Sequence, residues 1–281
     1  MRLITRALAL SSIYLLTACG GGGAGGASSG NSPPPVQNQS PGGIWETQYV
    51  VTSGPTAGDT IKGLAIVDET GSLYLAERNQ SNGCTEVGFG QISVSGNSIS
   101  GTVNVAIVSY ATMPGVNTSC TFSDGSTSGS AVISGTVAQR SSMTITDSAT
   151  TSKGTLLGTE NSTWTFNGIY DNASSLSAVA ANYTDGSDTL SIDGNGVIFE
   201  QDPTSGCVIN GQISTIDTRY NAYSLSLSFS SCTGSAAVDN GLTLTGLATL
   251  DTTVSPAQLE FGVSTAINGG YVVIVDAIAQ Q

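Results

Sequence analysis

Five cysteines, twenty carboxylates, two tryptophans and no histidine define the chemistry open to this 281-residue chain. Without histidine, Ser-His-Asp and Cys-His nucleophilic schemes are excluded, and no Ser-x-x-Lys segment supplies a serine–lysine dyad. Cys84, Cys120, Cys207 and Cys232 lack the short paired spacings of a zinc site. They read instead as disulfide bridges of an oxidising compartment, with three pairings open. Glycoside hydrolysis needs two facing carboxylates, but Asp68, Asp193, Asp202 and Asp217 stand in or beside turn-like stretches, where Asp is a common structural choice. Asp185, Asp188, Asp193 and Asn195 lack the dense alternation and closing glutamate of a calcium loop, and Asp193-Gly194-Asn195-Gly196 reads as a hairpin turn. Neither catalysis nor a metal or other cofactor is expected. Trp45 and Trp164 are either stacking platforms or core fillers. Tyr220 and Tyr223, flanking a turn, are candidate interface anchors.

Charge narrows the partners further. The net charge is −13, with only seven basic residues, so the chain has no means of gripping a phosphate backbone and nucleic acid is excluded as a partner. Two of those basic residues, Arg2 and Arg6, precede an apolar run from Ala7 to Leu16. That run is too short for a permanent membrane span and has the form of a signal peptide. It closes in Leu16-Thr17-Ala18-Cys19, which resembles the lipobox of bacterial lipoproteins. The resemblance implies cleavage after residue 18 and acylation of Cys19, so the expected membrane partner is reached through an N-terminal lipid. Gly20, in place of an aspartate, points by the same analogy to the outer membrane, on its periplasmic or cell-surface face. Residues 19–42, rich in Gly and Ser with Pro33-Pro34-Pro35, have almost nothing to bury and read as a flexible tether.

The rest of the chain must supply the scaffold. Ser, Thr, Gly, Val and Ala dominate and strong helix formers are scarce, so strands and tight turns are expected. Strands are placed at 43–52, 61–68, 71–78, 87–95, 98–109, 129–138, 141–147 and 162–169. A second set falls at 181–185, 188–193, 196–201, 207–215, 222–230, 241–250, 257–264 and 270–278. Residues 178–181 are expected to form one or two helical turns, capped by Asp171 or Ser174.

The two sets are copies. Val67-Asp68-Glu69-Thr70-Gly71-Ser72-Leu73-Tyr74 matches Ile192-Asp193-Gly194-Asn195-Gly196-Val197-Ile198-Phe199. Gly83-Cys84 then matches Gly206-Cys207, and Gly90-Gln91-Ile92-Ser93 matches Gly211-Gln212-Ile213-Ser214. The repeat favours Cys84–Cys120 and Cys207–Cys232, each stabilising its lobe by about 3 kcal/mol. The fold class is therefore all-β: two tandem antiparallel eight-stranded meander barrels, 43–170 and 171–281, with a β-sandwich as the alternative.

With these residues placed, the chain resembles a family of uncharacterised proteobacterial outer-membrane lipoproteins. The marks include Gly42-Gly43-Ile44-Trp45, Ala180-Ala181-Asn182-Tyr183-Thr184, Asn210-Gly211-Gln212-Ile213-Ser214 and Tyr220-Asn221-Ala222-Tyr223. In architecture alone it is also similar to two-lobed barrel lipoproteins that bind host proteins. The resemblance brings no activity with it. The expected role is a non-catalytic binding module for a protein, glycan or small ligand; the alternative is an accessory protein packing against an endogenous envelope complex.

Overall fold

The computed structural model describes residues 37–51, 57–109, 120–184 and 189–281. Cys19 with its leader lies outside these residues, as do Asp185 and Asp188. The first eight strands are β1 (Gly43–Val50), β2 (Thr60–Val67), β3 (Ser72–Asn79), β4 (Cys84–Ser95), β5 (Ser98–Ser109), β6 (Ser128–Ala138), β7 (Ser142–Thr151) and β8 (Leu156–Asn167). The second eight are β9 (Asn182–Thr184), β10 (Thr189–Ile192), β11 (Val197–Gln201), β12 (Val208–Thr215), β13 (Tyr223–Ser230), β14 (Thr243–Asp251), β15 (Gln258–Ile267) and β16 (Gly270–Gln280). Each set is an antiparallel meander that closes on itself, β1 against β8 and β9 against β16, giving two barrels in tandem. The sandwich alternative is excluded by those two closing pairs.

Alternation along each strand decides what fills the barrels. In β5 the inward positions carry Ile99, Gly101, Val103, Val105 and Ile107, while Ser98, Ser100, Thr102 and Asn104 face out. Gly101 lies so close to β4 that an added Cβ would stand 2.8 Å from the Gln91 carbonyl oxygen. The second barrel is packed with Tyr183, Ile198, Ile213, Tyr223, Leu244, Leu259 and Val263.

The duplication persists down to single hydrogen bonds. Asp68 Oδ1 accepts from the amides of Thr70 and Ser72, and Asp193 Oδ1 accepts from those of Asn195 and Val197. Gly71 and Gly196 follow with φ of 91° and 79°, and at either one a Cβ would lie 2.2 Å from a carbonyl oxygen, of Ile92 or Ile213. Only glycine fits there. Gln91 and Gln212 then donate their side-chain amides to Thr70 O and Asn195 O. One disulfide stands in each lobe, Cys84–Cys120 and Cys207–Cys232.

The helical expectation needs correction. A single turn runs over Leu176–Val179, and its N-cap is Ser175, whose Oγ accepts from Ala178 N, rather than Asp171 or Ser174. Ser174 Oγ instead donates to Asp217 O, and Asp171 ends a short 3-10 turn at Gly168–Asp171.

The lobes meet in two places. Along one seam the outward faces of β3, β4 and β5 (Tyr74, Val87, Phe89, Ala106, Val108) pack on Tyr271, Val273 and Val275 of β16. Tyr74 Oη donates to Thr245 O at 2.6 Å and Tyr271 Oη to Asn104 Oδ1 at 2.9 Å, so the seam has both apolar and directional contacts. The other junction centres on Arg140, in the β6–β7 turn. Its guanidinium donates to Glu69 Oε1 (2.9 Å), to Asp171 Oδ1 (2.8 Å) and to Gly42 O, and it lies 4.8 Å from the ring centres of both Tyr170 and Tyr220. Tyr170 and Tyr220 are themselves stacked at 5.1 Å. Asn221, buried beside them, donates its amide to Tyr170 O and its side chain to Leu250 O, and accepts from Leu250 N. One arginine thus ties the chain entry, two hairpin turns, the linker and the second lobe. Replacing Arg140 by Ala leaves Glu69 with the Ser40 and Tyr170 hydroxyls but no ion pair to Arg140, and is expected to destabilise the protein by about 2 kcal/mol. Arg140→Lys should restore little, because a point charge cannot make three divergent bonds and stack. Thermal or urea denaturation of both variants checks this; equal stability of wild type and Arg140→Ala would remove Arg140 from its central place.

Candidate functional site

The interior of the first barrel changes character along its length. The end where the chain enters and leaves is sealed by Trp45, Leu73, Met143 and Trp164, all buried. Trp45 Nε1 donates to Pro41 O at 3.0 Å, Trp164 Nε1 donates to Ser162 Oγ at 2.9 Å, and Trp45 meets Phe166 edge-on at 5.5 Å. Toward the other end, where the β1–β2, β3–β4, β5–β6 and β7–β8 connections lie, the inward positions turn polar. Glu77 shares the face of Leu73 and Leu75, Glu86 that of Ile92, Asp147 that of Met143 and Ile145, and Glu160 that of Trp164. Tyr49 of β1 hydrogen-bonds Glu160 within the same layer.

Register pairs like with like. Glu77 is directly opposite Glu86, and Asp147 is directly opposite Glu160. Directly opposed like charges destabilise a sheet, and here two such pairs share one lumen. The nearest basic residues, Lys62 and Arg78, occupy outward positions of β2 and β3 and are paired with each other in register. The four carboxylates occupy inward positions yet are only partly buried, so they form an acidic layer inside the barrel, its chamber, beside the apolar core. Gly88, on the same face of β4 as Glu86, would meet only the Leu75 side chain, at 3.6 Å or more, if it bore a Cβ.

The electrostatics follow from this enclosure. Burial pushes the Glu86 carboxyl up to about 7, with Asp147 and Glu160 adding to the shift. Burial and then Glu160 raise Asp147 to about 6. Glu77 is raised well above the ordinary range by burial, then by Glu86, Glu160 and Asp147. The Tyr49 hydroxyl is raised by burial, then by Glu77 and by its bond to Glu160. Enclosed groups perturbed in concert are the usual mark of a functional site. Among the described residues no three acidic or sulfur side chains converge as a metal site.

The aromatic residues singled out in the sequence are elsewhere. Trp45 and Trp164 plug the sealed end. Tyr223 is buried in the second barrel, where its hydroxyl accepts from Ser175 N. Tyr220 is half-buried against Tyr170 and Arg140. No exposed Tyr220–Tyr223 pair exists, because the strand starting at Tyr223 turns that side chain inward. The turn acids are also accounted for locally. Asp217 is lowered to about 2 by its bonds to Arg219, Asp202 is lowered by Ser205 and Thr204, and Asp193 by the amides of Val197 and Asn195.

Glu77, Glu86, Asp147 and Glu160 carry the chamber and were not singled out by sequence reasoning, although their signal was present. In each strand they fall on the parity of core residues, which is the wrong place for a solvated acid. Comparison with protein families, curated proteins and solved structures finds no match to this chain.

The chamber gives a pH signature. A free glutamate loses its proton near 4.5, whereas folded Glu86 keeps it to about 7. In that window the folded state holds more protons than the unfolded one, so stability falls as pH rises from about 4.5 to about 7 and then levels off. The melting temperature is expected to be higher at pH 5 than at pH 7.5. Glu86→Gln should raise it at pH 7.5, on the scale of about 2–4 °C per kcal/mol, and narrow the difference between the two pH values. Parallel pH profiles for wild type and Glu86→Gln would refute the assignment.

Proposed function

We propose that this protein is a lipid-anchored outer-membrane binding protein, non-catalytic, whose first barrel captures cationic ligands in its acidic chamber. The observation that carries the reading is the two pairs of opposed carboxylates, Glu77–Glu86 and Asp147–Glu160, at inward positions of one barrel, while the neighbouring Lys62 and Arg78 occupy outward positions. A ligand bearing amines or guanidinium groups supplies positive charge inside the barrel, and its binding offsets the repulsion among these carboxylates. Polyamines and Lys- or Arg-bearing peptides have this chemistry.

The direction of the chain supports the anchoring half of the proposal. β1 runs from the sealed end at Gly43 toward Val50, so a tether preceding β1 is joined to the first barrel at its sealed end. The lipobox at Cys19 and the Gly/Ser/Pro tether are the features that supply such an anchor.

Titration of the purified full-length chain in detergent with spermidine tests the ligand class. The expected result is saturable binding that weakens steeply with added salt. It should fall about tenfold or more in the Glu77→Gln/Glu86→Gln variant. Binding that is unaffected by salt and by both substitutions would overturn the reading. Labelling cells with radioactive palmitate tests the anchor: wild type should incorporate it and Cys19→Ser should not.

A further inference from the structure

Residues 120–127 lead into β6 and are held to the first barrel at both ends of a short path. At one end Cys120, buried, is bonded to Cys84, which stands on the face of β4 that also carries Glu86. At the other end Asp124 Oδ2 accepts from Thr151 Oγ1 at 2.5 Å, and Asp124 O accepts from Lys153 Nζ at 2.7 Å. Thr151 follows Asp147 and Ala149 on the inward face of β7. Since β4 and β7 are separated by β5 and β6 in the closed eight-stranded wall, the path crosses the lumen. It starts beside the Glu77–Glu86 pair and ends beside the Asp147–Glu160 pair.

Between its two ends the segment is a tight turn. Phe122 N donates to Ser126 O and Gly125 N to Phe122 O, both at 2.9 Å, and Gly125 supplies the positive φ of 74°. The Phe122 side chain is buried in the apolar cluster of the barrel interior, with Val105 and Ala149. The second lobe offers a comparison within the molecule. Its β13–β14 connection also carries a disulfide cysteine, Cys232, but continues into a short 3-10 turn, Gly234–Asp239, that buries none of its residues. Val238 there stands exposed. Of the two lobes, the one with the acidic lumen is the one whose connection sends an aromatic ring into its barrel.

We propose that residues 120–127 are a latched lid over the chamber, with Phe122 as its plug, which admits a slender polyamine and excludes a Lys- or Arg-bearing peptide. The proposal rests on the chamber as the cation site. The disulfide ties one end covalently, so the lid stays on the barrel as it opens, and the end that releases is the Asp124–Thr151 latch. A linear polyamine needs the gap left when Phe122 withdraws. A peptide, with its backbone and branching side chains, needs the whole path cleared.

Two measurements on the purified full-length chain separate the lid from the chamber. The first needs no ligand. Labelling with a water-soluble carbodiimide and glycinamide, read by peptide mass spectrometry, should modify Glu86 and Asp147 slowly in wild type. Both should react about tenfold faster in Thr151→Val and in Cys84→Ser/Cys120→Ser, the scale of one lost charge-assisted bond. The exposed Asp193 should react at one rate throughout. Cys207→Ser/Cys232→Ser, which removes the other bridge, should leave Glu86 and Asp147 as slow as in wild type, which separates an opened lid from a loosened fold. Equal rates in wild type and both lid variants would overturn the lid. The second measurement compares spermidine with trilysine by isothermal titration. Spermidine is expected to bind wild type, and trilysine to bind only the lid variants, a gain that a misfolded chain does not give. Trilysine binding to wild type as tightly as spermidine would overturn the exclusion. If spermidine itself fails to bind, the cation site falls and the selectivity with it, while the labelling rates still decide whether the lid exists.

Discussion

A closed eight-stranded wall has a single inside, and every second residue of every strand must enter it. This constraint governs the whole molecule. It makes alternation obligatory, fixes register because a slip by one residue would exchange the two faces, and leaves no free edge to pair with another chain. The second barrel satisfies it in the ordinary way, with aromatic and branched side chains throughout. The first does so at its sealed end and then sets four acids among inward positions that still include Ile107, Phe122 and Ala149 of the apolar cluster. The two barrels share a repeat, a topology and a disulfide position, so the difference between them lies in what the sequence puts at the inward positions, not in the wall.

Much of the wall was legible in the sequence, and the reason is local. The turns that set register are short and chemically explicit: Asp68 through Gly71 and Asp193 through Gly196 carry the amide-accepting aspartate and the positive-φ glycine that such hairpins need. Matching these turns revealed the duplication, and the duplication favoured the disulfide pairing that the structure shows. The acids of the chamber were less legible, two of them because strand ends were misjudged. Strands expected to begin at 87 and 162 begin at Cys84 and Leu156, so Glu86 and Glu160 fell into presumed loops. Asp147 stood at the last position of a strand expected to end at 147, which continues to Thr151, and Glu77 lay inside an expected strand whose inward face was not traced. Acids, Gly, Ser and Thr are depleted from packed strands and common in loops, and a hollow barrel mouth uses those same residues in strands. The local composition therefore signals a loop while the non-local closure of the wall enforces a strand.

The aromatic anchors illustrate the converse. Tyr220 and Tyr223 bracket a turn, which makes both look available, yet three residues of separation across the start of a strand put them in different environments. Tyr223 enters the second barrel, and Tyr220 becomes part of the stack under Arg140. Sequence spacing identified a junction but not which side of it was wet. That junction, with the Tyr74–Phe89–Tyr271 seam, joins the lobes through both packing and directional bonds.

The acids themselves divide into two populations with opposite linkage. Asp193, Asp202 and Asp217 are held below their ordinary value by turn hydrogen bonds. Their contribution is complete above about 3.8 and is lost as pH falls further; for Asp217 the loss extends down to about 2. Glu77, Glu86 and Asp147 are held above theirs and cost stability as pH rises out of the ordinary carboxylate range, up to about 6 for Asp147 and about 7 for Glu86. The turn acids belong to the wall and the enclosed acids to its lumen, so the two titrations place the expected stability optimum in mildly acidic solution, above the first and below the second. Under the proposed function a bound cation would act on the second population alone, because it favours the ionised form of those carboxyls, and the stability gained on binding would be largest at neutral pH.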